Sequence, residues 1–177
     1  MHFLFFFSWT ILFQFTPVLV VQSFGFTSSD IGDLALFMGL CWAVGAGYLS
    51  KWLLHRFSTL NVLEWCLVIF TALCALIVFP KHIYVVLSIL GLCVAIGGLA
   101  WPLCTGVISN MAPKNIQGKI LGLSQSVQSL AMTLAPALGG MASQGAVKLP
   151  FFMGALAGLI AILIYFSFKN RQGHAAS

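Results

Sequence analysis

Between Pro113 and Gly140 the chain reads PKNIQGKILGLSQSVQSLAMTLAPALGG. Ser124, Gln125, Ser126, Gln128, Ser129 and Thr133 stand near the middle of this stretch, which is long enough to cross a bilayer. Hydroxyls and amides donate and accept hydrogen bonds but carry no charge at neutral pH, so the chemistry they offer is recognition. At about 100° per residue, Gly118, Gly122, Gln125, Ser129, Met132, Pro136 and Gly140 fall on one helical face, with Ile120, Leu123, Val127, Leu130, Leu134 and Leu138 opposite. The aliphatic face suits lipid. The small, polar face must meet protein or a watery cavity, because an amide unpaired in hydrocarbon costs several kcal/mol.

Reactive groups are sparse elsewhere. No pair of carboxylates falls inside an apolar run, so acid–base and carboxylate-metal chemistry lack their ligands. Glu64 sits about one turn from a span end, where it suits an anchor or a partner of Arg56 or Lys51 better than a buried proton carrier. Cys41, Cys66, Cys74, Cys93 and Cys104 lie in apolar runs without a C-x-x-C pair, and His2, His55, His82 and His174 are read as lying outside the spans. The cysteines are therefore expected to be packing residues, and no metal or disulfide is expected. Gly45-Ala46-Gly47 lacks the spacing of a dinucleotide loop, and Gly122-Leu123-Ser124-Gln125 lacks the second glycine of a nucleophile elbow. No catalytic site and no cofactor are expected. The chain is not read as an enzyme.

Composition sets the class. The 177 residues are 60% hydrophobic and 6% charged, and mean hydropathy is +1.05, whereas soluble domains are about a quarter charged. The formal charge of +5 is spread between apolar runs rather than gathered in a patch, which argues for membrane topology and against nucleic acid. Met1-His2 gives little of the basic region a signal peptide needs, so the first apolar run is read as a membrane helix. Its abrupt start leads one to expect a preceding segment. Six spans are predicted, near residues 3–22, 31–53, 60–79, 83–108, 117–143 and 149–168, forming one all-α membrane domain over 1–177. With the N-terminus inside, Lys51, Arg56, Lys114, Lys119, Lys169 and Arg171 are cytoplasmic, and only Lys81 and Lys148 are outside. That positive-inside bias predicts a multi-pass protein of the cell (inner) membrane with both termini cytoplasmic.

The spans divide into two triplets, about 3–79 and 83–168, each opening on a span with a polar or aromatic residue beside a proline: Gln14 with Pro17, Trp101 with Pro102. Three spans reverse direction, so consecutive triplets are inverted, the plan of secondary transporters. In the second span Ala35, Gly39, Ala43 and Gly47 recur every fourth residue, a seam for close helix approach, and Gly154 and Gly158 repeat the spacing in the last. Pro17, Pro102 and Pro136 are expected to kink their helices.

Three stretches carry a family resemblance. FQFTPVLVVQSFGFTSSDIG resembles the seventh helix and following loop of tetracycline-resistance-type drug:proton antiporters of the major facilitator superfamily. Gly47-Tyr48-Leu49 with Arg56-Phe57 is similar to the superfamily's degenerate cytoplasmic loop signature, and Gln117-Gly118 to Gly122 with Ala135-Pro136 and Gly139-Gly140 resembles the eleventh helix. The resemblance implies the C-terminal six-helix half of such a transporter. The loop copy here has one arginine and no aspartate, and no membrane-embedded carboxylate matches a proton-coupling site. Any carboxylates for proton coupling would belong to the other half.

The resemblance also assigns roles: the first helix of each triplet lines the cavity, the second faces the other half, and the third faces lipid. Phe7, Thr10 and Gln14 on the first span, Trp101 and Thr105 on the fourth, and Gln125 and Ser129 on the fifth are the expected substrate-cavity residues. Val94, Gly97 and Gly98 share the face of Trp101. Ala35, Gly39, Ala43, Gly47, Gly118, Gly122 and Pro136 are the expected half-to-half interface, and Gly47, Leu49 and Arg56 the loop signature. Residues Phe3 to Phe6 are expected to face lipid. The function implied is efflux of a small lipophilic or amphipathic solute, with protons as coupling ion in that type. The partners implied are the bilayer and a second six-helix half, supplied by a separate chain or a second copy. The alternative is a membrane module, or a remnant, that transports nothing.

Overall fold

The computed structural model describes residues 1–175, with side chains through residue 167. The side chains of Lys169, Arg171 and His174 lie outside the described residues. Six membrane-length helices follow one another: α1 (His2–Phe24), α2 (Ser28–Arg56), α3 (Thr59–Leu76), α4 (Ile83–Met111), α5 (Gln117–Ser143) and α6 (Leu149–Ala175). A helix lies on each stretch read as a span, several of them longer than read and α3 shorter, ending at Leu76. All but α5 are apolar enough to cross a membrane on composition alone. Its serines and glutamines make α5 the exception, as expected of a helix that needs protein on one side.

Local chemistry sets the ends. Gly25 closes α1 with φ 70°, a left-handed conformation that costs glycine nothing, and its N–H bonds the Val21 carbonyl at 3.0 Å. Thr27 then caps α2 in a reciprocal box: its backbone N–H reaches Asp30 Oδ2 at 2.7 Å, and the Asp30 N–H reaches Thr27 Oγ1 at 3.4 Å. Between α4 and α5, Gln117 Nε2 donates to the Ser109 hydroxyl at 2.7 Å, pinning the connection.

The helices run unbroken through Pro17, Pro102 and Pro136. The irregular turn lies instead in α2, where Val44–Leu49 is π-helical. Two glycines permit it, and it brings Gly45 against the backbone of Ala95 on α4, where any Cβ would strike the Ala95 carbonyl.

Packing follows an exchange rule. α1 packs along α5 and α6, α4 packs along α2 and α3, and α3 packs on α6. Swapping α1 with α4, α2 with α5 and α3 with α6 exchanges the α1 contacts with the α4 contacts and maps the α3–α6 contact onto itself. That is the pattern of a two-fold axis in the membrane plane, so the triplets are inverted repeats.

Because α1 meets helices on several sides, Phe5 and Phe6 are core rather than lipid-facing, at 1% and 0% exposure. Phe5 packs on Phe70 (ring centroids 5.5 Å apart), and Phe6 stands edge-on to Trp101 at 4.6 Å. His2 likewise belongs to α1, and its Nε2 lies 2.9 Å from Ser124 Oγ on α5; His55 falls in the last turn of α2. The histidines are therefore not all outside the helices. Gly154 and Gly158 do act as packing positions, the first beside Ile11 and the second against Thr71. Near α6's far end, Tyr165 Oη donates to the Leu60 carbonyl at 2.8 Å. Tyr165→Phe is expected to cost about 1 kcal/mol, read as a small drop in unfolding midpoint in detergent, with the helix content unchanged.

Candidate substrate cavity

α1, α2, α4 and α5 border an open cavity of about 370 Å³, to which α3 and α6 contribute nothing. Its walls are Trp9, Phe13, Trp42, Trp101 and Met132, with Thr10, Gln14 and Gly39 between them. Trp9 and Trp101 meet edge-to-face at 6.0 Å and 84°, and Trp9 also stacks on Phe70 at 6.1 Å, so both indoles are held in place.

Glycines let these rings come so close. Gly97 lies directly against the Trp9 ring, and at Gly98 an added Cβ would come within 2.7 Å of the Trp42 carbonyl. Val94 is fully buried beside them. These three shape the cavity from behind and do not line it.

Polar groups are few. Thr10 is buried and returns its hydroxyl to the Phe6 carbonyl at 2.8 Å, as threonines in helices do. The Gln14 side chain is exposed and makes no hydrogen bond among the described residues, so its amide is available to a ligand. The lining holds no charged side chain. Such a site can bind a large, mostly apolar body and orient it through one amide.

Of the cavity residues read from the sequence, Thr10, Gln14 and Trp101 come together here. Phe7 turns away into a groove with Phe3, Leu138 and Met153 between α1, α5 and α6. Thr105 lies one turn along α4 from Trp101, bonded to its carbonyl at 3.4 Å and outside the lining. Gln125 and Ser129 are exposed on α5 and also outside it. Trp9, Phe13, Trp42 and Met132 were missed. The i, i+4 spacing of Trp9 and Phe13 was a signal for the first two, and Trp42 stands three residues from Gly39 in the regular part of α2, on the same side.

α5 has three faces rather than two. Ser124, Gln128, Ala131, Ala135 and Gly139 are buried, with Gly139 against Phe15 and Ile11 of α1. Both the aliphatic face and the Gly118–Gly140 face are exposed. A Cβ added at Gly39, Gly47, Gly118, Gly122 or Gly140 would meet nothing within 4 Å. Ala35 and Ala43 are exposed too, and Pro136 is half-buried. Gly39 and Met132 belong to these open faces and also line the cavity, so cavity and faces adjoin. At the far end of α2, Leu49 is half-buried and the Arg56 guanidinium lies 5.0 Å over the Trp52 ring.

A family model described as Major Facilitator Superfamily matches residues 1–177. The chain is also 26% identical over 151 residues to Multidrug resistance protein 1 of Bacillus subtilis (strain 168). The aligned stretch covers 85% of this chain and 38% of that relative, so the chain spans well under half of the relative's length.

Proposed function

From the premise that this chain belongs to the Major Facilitator Superfamily, a family of membrane transporters, we propose that it forms one six-helix wall of a secondary transporter for a lipophilic or amphipathic solute. The observation that carries the reading is the aromatic cavity with the free amide of Gln14, bordered by two open small-residue faces. A second six-helix bundle docks on those faces of α2 and α5 and supplies the other half of the cavity. Movement of one bundle against the other then exposes the site to each side in turn.

Packing supports the docking. The close-packed glycines, Gly45, Gly91, Gly97, Gly98, Gly139 and Gly158, all point at helices of this chain, whereas Gly39 and Gly47 on α2 and Gly118, Gly122 and Gly140 on α5 are open at matching places in the two triplets. Exposed Gln125, Ser126, Ser129 and Thr133 lie along the same side of α5 and gain from a protein neighbour at membrane depth. Outward transport is the direction that the similarity to a multidrug resistance protein supports. Protons, if they drive it, use carboxylates on the second bundle. Both termini are placed in the cytoplasm of a cell whose inner membrane holds the protein, on the lysine and arginine bias.

The test is accumulation of a fluorescent lipophilic cation by cells expressing the chain in its native membrane. Expression is expected to lower accumulation, and Gln14→Ala to weaken that effect through a roughly tenfold loss of solute affinity, since an amide–ligand hydrogen bond is worth about 1–1.5 kcal/mol. Accumulation that is the same with and without the chain would reject transport and leave the non-transporting module.

A further inference from the structure

A second cavity, of about 210 Å³, lies at the end of the bundle where α1 and α3 finish and α4 and α6 begin. Its floor is apolar and deeply buried, with Leu19 at 2%, Ile77 at 1% and Val86 at 1% exposure. Its rim carries Ser23, Lys81 and Lys148.

Those two lysines are the basic residues that the chain places at this end; Lys51, Arg56, Lys114 and Lys119 lie at the opposite one. They come from connections far apart in sequence and converge on one cavity. Neither has a carboxylate partner among the described residues; of the two carboxylates at this end, Asp30 is engaged with its own cap residue Thr27, and both Asp30 and Asp33 stand outside the cavity lining. The positive ends of the α4 and α6 dipoles start beside them. Two uncompensated ammonium groups and a hydroxyl over an apolar floor, at the level where a membrane helix ends, match an anion attached to hydrocarbon.

We propose that this cavity binds the phosphate of an anionic phospholipid in the leaflet at that end. The phosphodiester sits between Lys81 and Lys148 and accepts from Ser23, and its acyl chains run from there into the leaflet along the outside of the bundle. A headgroup seated there ties the ends of α1 and α3 to the starts of α4 and α6, joining the two inverted triplets. The site does not depend on what the aromatic cavity carries.

The test is the unfolding midpoint of the full chain in detergent, titrated with phosphatidylglycerol, phosphatidylcholine or inorganic phosphate. Phosphatidylglycerol is expected to stabilise at lower concentration than phosphatidylcholine. Lys81→Gln and Lys148→Gln are each expected to raise the concentration needed by roughly fivefold, the change that follows from one lysine near an anionic headgroup. Lys148→Arg should restore it. Both lysines are exposed, so the variants fold, and equal helix content checks this. Equal stabilisation by both lipids, or a phosphatidylglycerol response unchanged in the double variant, overturns the proposal. A lysine-dependent response to inorganic phosphate as strong as that to the lipid assigns the cavity to a free anion and overturns the lipid.

Discussion

Gly45→Leu is expected to abolish the folded bundle, whereas Gly122→Leu leaves the chain folded and stops it working. At Gly45 a Cβ would enter the Ala95 carbonyl, which is backbone and cannot rotate away. The α2 helix holds to the rest of the chain through few buried residues, Leu34, Met38 and Gly45. Parting α2 from α4 at Gly45 also lifts Trp42 off Gly98, so the cost is about 3 kcal/mol or more. At Gly122 nothing lies within 4 Å, and the same side chain has room. Size-exclusion profile and helix content in detergent should therefore show aggregation for the first variant and a wild-type profile for the second. Lowering of dye accumulation in native membranes should be lost in Gly122→Leu, because leucine fills the face on which the second bundle docks. A Gly122→Leu protein that folds and transports as well as wild type would remove that face from the interface.

Trp101→Ala should weaken solute binding by about tenfold or more, with a smaller loss of stability. The indole is half-buried, so part of it packs on Phe6 and Trp9 and part faces the cavity. Truncating a fully buried tryptophan costs about 3–5 kcal/mol, and a half-exposed one less. Losing an aromatic wall from an apolar ligand removes on the order of 1.4 kcal/mol, a factor of ten. Trp65→Ala is the control: that ring lies on α3 beside Phe57, away from the cavity, and is 44% exposed. Its affinity for a lipophilic cation, measured by fluorescence titration, should match wild type. If Trp101→Ala binds as tightly as Trp65→Ala, the aromatic cavity is not the binding site.

The sequence by itself determined the class, the number of helices, their approximate bounds and the inverted triplets. Each of these follows from a property read along one strand of chain: apolar length against bilayer thickness, turn residues between runs, and the parity of three spans. It also determined that Ala35–Gly47 is a helix face of small residues and Gly118–Gly140 one of small and polar residues, which needs only the helical period. Tertiary structure alone decided which glycines are occupied. Gly45 and Gly47 are two residues apart and look alike in sequence, yet one is pressed on Ala95 and the other is open. Periodicity gives the angle of a residue about its own helix, but not the angle of that helix to its neighbours. For that reason Phe6 was read as lipid-facing and is core, and Gln125 was read into the cavity and stands outside it. The lysines at 81 and 148 show the same limit: both were visible as outer charges, but only the fold brings them to one cavity, because α1, α3, α4 and α6 end there side by side.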